Sequence, residues 1–217
     1  MDRDAFISRI STAVMTSDLP SAPSVPERIP AMESDDLLAL FRSRAIDVDA
    51  VVHGPVSRHG VDRAVTGIAA GHQAQTFMSW DDLPGGDVAA ALTDAGLDRI
   101  DAELPDEGRK EHQLGYSQVD LGVTGAAAGL AESGTVVLSH GEGRQRMTSL
   151  IPDVHVALLE TSLIEESLAW WAHRHPDAVS STTNLVMVTG PSRTGDIELH
   201  LNLGVHGPRH VHVVLVK

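Results

Sequence analysis

The chain has 217 residues, 16 basic and 30 acidic, for a formal net charge of −14; this balance repels phosphate backbones and anionic lipid and argues against nucleic acid as a partner. Cysteine is absent, which rules out a disulfide or an iron–sulfur cluster held by thiolates of these residues. Apolar residues make up 42% and aromatic residues 3%, so the chain is globular and its core must be filled by Ala, Val, Leu and Ile, the mix expected where helices pack closely on a parallel sheet.

Asp2 and Asp4 among the first residues are unlike a signal peptide, and no run approaches the ~20 apolar residues of a membrane span, so the expected compartment is the cytoplasm. A first amphipathic helix is predicted over Asp4 to Met15, where Phe6, Ile7, Ile10, Ala13 and Val14 fall at helical spacing. From Ser17 to Pro30, Pro20, Pro23, Pro26 and Pro30 forbid a helix or a central strand and indicate a surface arm. The division is therefore residues 1–33, helix and proline-rich arm, and residues 34–217, the α/β domain.

Ser34, with Asp35 and Asp36, is expected to cap a helix over Leu37 to Arg44. Short β-prone runs then alternate with helical ones. The series is a strand over Ala50 to His53, a helix over Arg58 to Ala70, a strand over Ala74 to Ser79 and a helix over Gly86 to Ala95 with Gly96 as its C-cap. It continues with strands at Arg99 to Glu103, Asp120 to Thr124, Thr135 to Ser139 and Val154 to Leu159, a helix over Leu163 to His173, and strands at Asn184 to Val188 and Val211 to Val216. Asp82 to Gly86 and Leu104 to Gln113 read as loops. Such alternation needs crossover connections and favours parallel strands, and a run such as Val213-Val214-Leu215-Val216 is too continuously apolar for a strand wet on one face.

No G-x-G-x-x-G follows a predicted strand and no G-x-x-x-x-G-K-[ST] occurs, so neither common phosphate cradle is present. Gly190-Pro191-Ser192-Arg193-Thr194-Gly195 has one residue too many for a G-x-S-x-G nucleophile elbow. His206, His210 and His212 lie close together but lack a matched metal-ligand spacing; on a strand His210 and His212 share a face, and an edge strand or a solvated face accounts for them without a metal.

Two segments are dense in glycine, hydroxyl and charged residues at predicted strand ends, where open α/β sheets bind ligands. One is Gly122-Val123-Thr124-Gly125 running on to Ala131-Glu132-Ser133-Gly134-Thr135-Val136-Val137-Leu138. The other is Gly190-Pro191-Ser192-Arg193-Thr194-Gly195-Asp196-Ile197-Glu198, followed by Leu203-Gly204-Val205-His206-Gly207-Pro208. In this order they resemble the signature of the LUD domain, the lactate-utilisation protein C family, over roughly Ser34 to Lys217. The resemblance implies an α/β fold, a three-layer α/β/α sandwich around a mostly parallel sheet, similar to the ribose-5-phosphate isomerase and coenzyme A transferase group. It also implies a role in oxidising L-lactate to pyruvate beside partner proteins that carry iron–sulfur clusters, with no cofactor bound by this chain.

The chemistry-bearing candidates follow from these blocks. Glu132 and His206 are the candidate catalytic groups. By resemblance to the related transferases Glu132 could accept an acyl group, and His206 could serve as a general base. Thr124, Ser133, Gly134 and Thr135, with Ser192, Arg193, Thr194, Asp196, Glu198, Gly204 and Gly207, are the candidate ligand-binding set for a small anion, with Arg193 supplying a forked cation. Two readings stay open: an accessory subunit of a lactate-oxidising system, or a stand-alone transferase or isomerase acting on a small anionic acyl or phosphorylated ligand. Internal pairing of Arg193 with Asp196 or Glu198 is the structural alternative to anion binding.

Overall fold

The computed structural model describes residues 2–16, 33–102, 119–195 and 201–217. The expected proline arm, the loop over Leu104 to Gln113, and Asp196 and Glu198 lie outside the described residues.

In chain order the elements are α1 (Arg3–Thr16), α2 (Ser34–Asp47), β1 (Val51–Val56), α3 (Val61–Gly71), β2 (Thr76–Ser79), α4 (Val88–Asp94) and β3 (Asp98–Arg99). There follow β4 (Leu121–Gly125), β5 (Ala128–Leu130), β6 (Thr135–His140), α5 (Met147–Leu150), β7 (Val154–Glu160), β8 (Ile164–Glu165), α6 (Leu168–Arg174), β9 (Asn184–Val188), β10 (Arg193–Gly195), β11 (Leu201–Leu203) and β12 (His210–Val216). The main sheet has six strands in the order β1-β12-β7-β4-β2-β3, and every pairing in it is parallel. The expected mostly parallel α/β sheet flanked by helices is the observed one.

Side-chain alternation along the sheet divides the core in two. Val154, Val156, Leu158, Val214 and Val216 point to the face covered by α3 and α4, where they meet Val61, Val65, Ile68, Val88 and Leu92. Ala157, Leu159, Val211, Val213 and Leu215 point the other way, onto Phe41 and Ala45 of α2 and onto Val136 and Ile164. Burial on both faces is why β7 and β12 are almost uninterrupted apolar runs.

The second covering layer is not helical alone. β8, β5, β6 and β9 form a separate four-stranded sheet, mixed in direction, whose far side packs through Ala128, Leu130, Val137 and Leu185 on Trp171 of α6. The sequence reading expected strands at β6 and β9 but none at β5 or β8, and it expected one mostly parallel sheet, not two. Periodicity reports that a strand is buried, not which sheet buries it.

Five local expectations are corrected. Ser34 is the first helical residue of α2, not its cap; the N-cap position is Glu33, which makes no side-chain cap bond. The predicted helix over Arg58 to Ala70 divides into a 3-10 turn, Arg58–Gly60, and α3. The predicted helix over Leu163 to His173 starts late, because Ile164 and Glu165 pair with Gly129 and Leu130, and Ser167 then caps α6 by accepting from the Trp170 N–H. Asp87, accepting from the Ala90 N–H, likewise starts α4 inside the predicted span. Finally, β12 is no edge strand: it lies between β1 and β7.

Candidate functional site

Parallel strands deliver their carboxyl ends to one edge of a sheet, and the loops leaving that edge form the usual ligand crevice. Here a cavity of about 360 Å³ opens at that edge. Its floor is Gly125, the last residue of β4, with Ala126 and Ala127, and its walls are Arg58 after β1, Trp80, Asp82, Leu83 and Pro84 after β2, Glu160 at the end of β7, and Ser139 and Arg144 from β6 and the loop after it.

Two loops hold the cavity's rim together. Trp80 Nε1 donates to the Gln145 carbonyl at 3.1 Å, and the Asp81 N–H donates to the Gly143 carbonyl at 3.3 Å. Arg144 grips Asp82 through Nε, at 2.8 Å to Oδ2 and 3.1 Å to Oδ1, and through Nη2 as well. These hydrogen bonds from Arg144 to Asp82 raise its pKa further above the ordinary arginine value. The second guanidinium, Arg58, pairs with Glu160. Two cations held at fixed points around an apolar floor are suited to a small carboxylate, which a guanidinium takes through two parallel N–H bonds.

The sequence-derived candidates sit elsewhere. Gly134, with φ +66°, lies so close to α2 that a Cβ would stand 2.2 Å from the Ala45 nitrogen, and Gly190 is pressed as closely on the Val48 carbonyl. The Ser133 and Thr135 hydroxyls form a chain with Thr189 Oγ1, each link 2.7 Å. Arg193 pairs with Asp49, two residues past α2, and donates to the Val48 carbonyl; Asp196 and Glu198, its expected partners, lie outside the described residues. Ser192 donates its N–H to the Pro208 carbonyl, Gly204 donates to Ser192, and Gly207 lies against the Ser192 side chain. The structure thus does gather Gly134, Thr135, Ser192, Arg193, Gly204 and Gly207, but around the end of α2 and the amino ends of β1 and β12. Glu132 is exposed in the β5–β6 turn, Thr194 is half-buried in β10 and His206 is exposed in the loop before β12; none of the three lines the cavity. Thr124 is fully buried, hydrogen-bonded to His155 Nε2 at 2.9 Å, and faces no solvent.

The histidines form two interior groups. His212 sits between His53 and His72, its Nδ1 2.9 Å from His53 Nε2 and its Nε2 2.9 Å from His72 Nε2. Burial, then the neighbouring His53, His72, His210 and His155, push the His212 pKa down to about 4. His155 is held down to about 4 by burial and then by His140. His155 and His212 are packed into the sheet, whereas His210, at the start of β12, is exposed as the solvated-face reading expected. Among the described residues no cluster of three or more His, Asp or Glu is arranged to hold a metal ion.

The cavity's charged residues were missed from the sequence because no motif surrounds them. Their signal was position: Arg58, Asp82 and Glu160 each stand at or within three residues of a strand's carboxyl end, and Arg144 stands four residues past the end of β6.

Comparison with known proteins agrees with this architecture. The family model of the LUD domain matches residues 66–216. The chain is 32% identical over 174 residues to the Lactate utilization protein C of Halalkalibacterium halodurans, covering 76% of this chain and 74% of that protein. It is 33% identical over 156 residues to the Lactate utilization protein C of Deinococcus radiodurans, covering 66% and 73%. The crystal structure of a DUF162 family protein from Deinococcus radiodurans at 1.70 Å resolution has the same fold, with a TM-score of 0.66 and 24% identity over 86% of this chain and 100% of that one. By sequence the chain belongs to the LUD domain family.

Proposed function

We propose that this chain is a lactate-utilisation protein that binds a small organic anion, L-lactate or a close relative, in the carboxyl-edge cavity. In this reading it works in an L-lactate oxidising system whose iron–sulfur clusters sit on partner proteins. The observation that carries the reading is the cavity itself: a crevice at the carboxyl ends of parallel strands, of a size for a small acid, with Arg58 and Arg144 on its walls. Similarity to proteins called Lactate utilization protein C supports the substrate class. The lack of cysteine supports placing thiolate-bound clusters on partners.

Titration of the protein with L-lactate, followed by NMR, tests the site. Arg144→Ala and Arg58→Ala are each expected to weaken binding by about 1.5 to 3 kcal/mol, roughly ten- to a hundredfold, the usual value of a charge-assisted contact. Arg193→Ala and Glu132→Gln serve as contrasts. If they abolish binding while the cavity variants bind normally, the ligand lies at the amino edge around Glu132, Ser133, Ser192 and Arg193 and the cavity reading falls.

The partner clause has its own measurement. Anaerobic purification of the tagged protein from its native cells is expected to bring down iron–sulfur proteins and lactate-dependent electron transfer. Recovery of the chain alone, without that activity, removes the clause.

No helix among the described residues is long and apolar enough to cross a membrane.

A further inference from the structure

The two guanidinium–carboxylate pairs on the cavity wall are not equivalent. Arg144 spends Nε and Nη2 on both oxygens of Asp82, which among the described residues leaves Nη1 for a ligand. Arg58 meets Glu160 through a single Nη2-to-Oε1 contact, and among the described residues neither side chain has another partner. Arg58 therefore keeps donors, and Glu160 keeps an acceptor oxygen, for something else in the cavity. Glu160 is also the more enclosed of the two cavity carboxylates, its side chain 26% exposed against 53% for Asp82. The strand holds it in place, since it is the last residue of β7 and is registered opposite Val216 of β12.

A side-by-side donor and acceptor is the complement of a 2-hydroxy acid, whose carboxylate and hydroxyl are on adjacent carbons. The carboxylate accepts from Arg58, with Arg144 as the second cation, and the hydroxyl donates to Glu160. The corresponding 2-oxo acid offers no such donor. Its carbonyl oxygen would face the Glu160 carboxylate, acceptor against acceptor, and leave a half-enclosed charge without its bond. We propose that Glu160 is the residue by which this cavity distinguishes a 2-hydroxy acid from the 2-oxo acid made from it. The inference rests on the cavity being the small-anion site proposed above. It adds a specificity-determining side chain and a direction: the reduced acid is held and the oxidised one is released.

The experiment compares L-lactate and pyruvate as ligands of the full chain and of Glu160→Gln, with Glu160→Ala alongside. A glutamine of the same shape accepts from a hydroxyl with its carbonyl or donates to a ketone with its amide. The unaltered protein is expected to prefer lactate by about tenfold or more, the value of one charge-assisted hydrogen bond. Glu160→Gln is expected to bring the two ligands to within about threefold, mainly by gaining pyruvate, and Glu160→Ala to lose lactate and to gain pyruvate by less than Glu160→Gln does, since it removes the opposing carboxylate without adding a donor. A lactate-to-pyruvate ratio unchanged in Glu160→Gln, with binding still dependent on Arg58 and Arg144, overturns the role of Glu160 and leaves the site standing. If neither acid binds the unaltered chain, or binding ignores both arginines, the site fails and this inference fails with it.

Discussion

A Gly122→Ala chain is expected to lose roughly 3 kcal/mol or more of folding stability, at the upper end of what overpacking costs in a close-packed core. Gly122 is in β4, under the point where α5 crosses the sheet. A Cβ there would stand 1.9 Å from the Thr148 carbonyl oxygen and 2.8 Å from Pro152 Cγ. The nearer obstacle is backbone, which has no rotamer to turn to, so α5 must lift off the strand or β4 must bend. Gly67, in α3, is the contrast. Nothing lies within 4 Å of its Cβ position, and alanine there is expected to be neutral or stabilising by about 0.5 to 1 kcal/mol, as for a glycine in a helix interior. Urea unfolding of the two variants decides the matter: equal midpoints would show that α5 does not rest on Gly122.

The second large effect is acid sensitivity. His155 is fully buried and His212 is 8% exposed, and both have pKa values lowered from 6.5 to about 4. A histidine whose folded pKa lies below its unfolded value takes up protons preferentially on unfolding, so its contribution is complete above pH 6.5 and is lost as the pH falls from there toward 4. At pH 5 the loss is on the order of 2 kcal/mol for either ring taken alone, and His155 is itself among the groups that lower His212, so the two are not independent. Set against a total of about 5 to 15 kcal/mol for an ordinary domain, that is a large fraction of the protein's stability. Stability measured by urea titration is therefore expected to be level from pH 8 to 7 and to fall steeply between 6.5 and 4.5. His212→Gln should flatten part of the slope. A level profile down to pH 4.5 would mean that one or both rings are already protonated in the fold, with partners not described above.

How far the sequence revealed this molecule depended on whether the deciding interaction was local. The apolar runs at Val154 to Leu159 and Val211 to Val216 announced strands buried on both faces, and the alternation with helices announced parallel pairing; both follow from near-neighbour residues. The division of the strands into two sheets did not show, because Val136 and Val213 look alike in sequence and differ only in which layer they belong to. His212 was read as belonging to an edge or solvated strand for the same reason: its burial is decided by His53 and His72, well over a hundred residues earlier. The glycine and hydroxyl blocks stood out by composition, and the structure gives many of those glycines close-approach roles, as at Gly134 on α2 and Gly190 on Val48. The cavity's charged residues were illegible as a group because Arg58, Asp82, Arg144 and Glu160 come from four separate connections and meet only when the sheet forms.

The position of β12 also has a consequence for how the chain comes to be folded. Among the described residues β1 has one hydrogen-bonded neighbour strand, β12, with Val51 registered against His212. During synthesis residues 51–56 emerge early and must wait, unpaired, until residues 210–216 have been made and inserted between them and β7. Pairings of such long separation in sequence form slowly, because the loop must close before any contact rewards it. The nascent chain therefore carries β1 without its partner from residue 56 until residue 210, and once β7 is made the main sheet stays open along that buried, apolar strand until β12 follows.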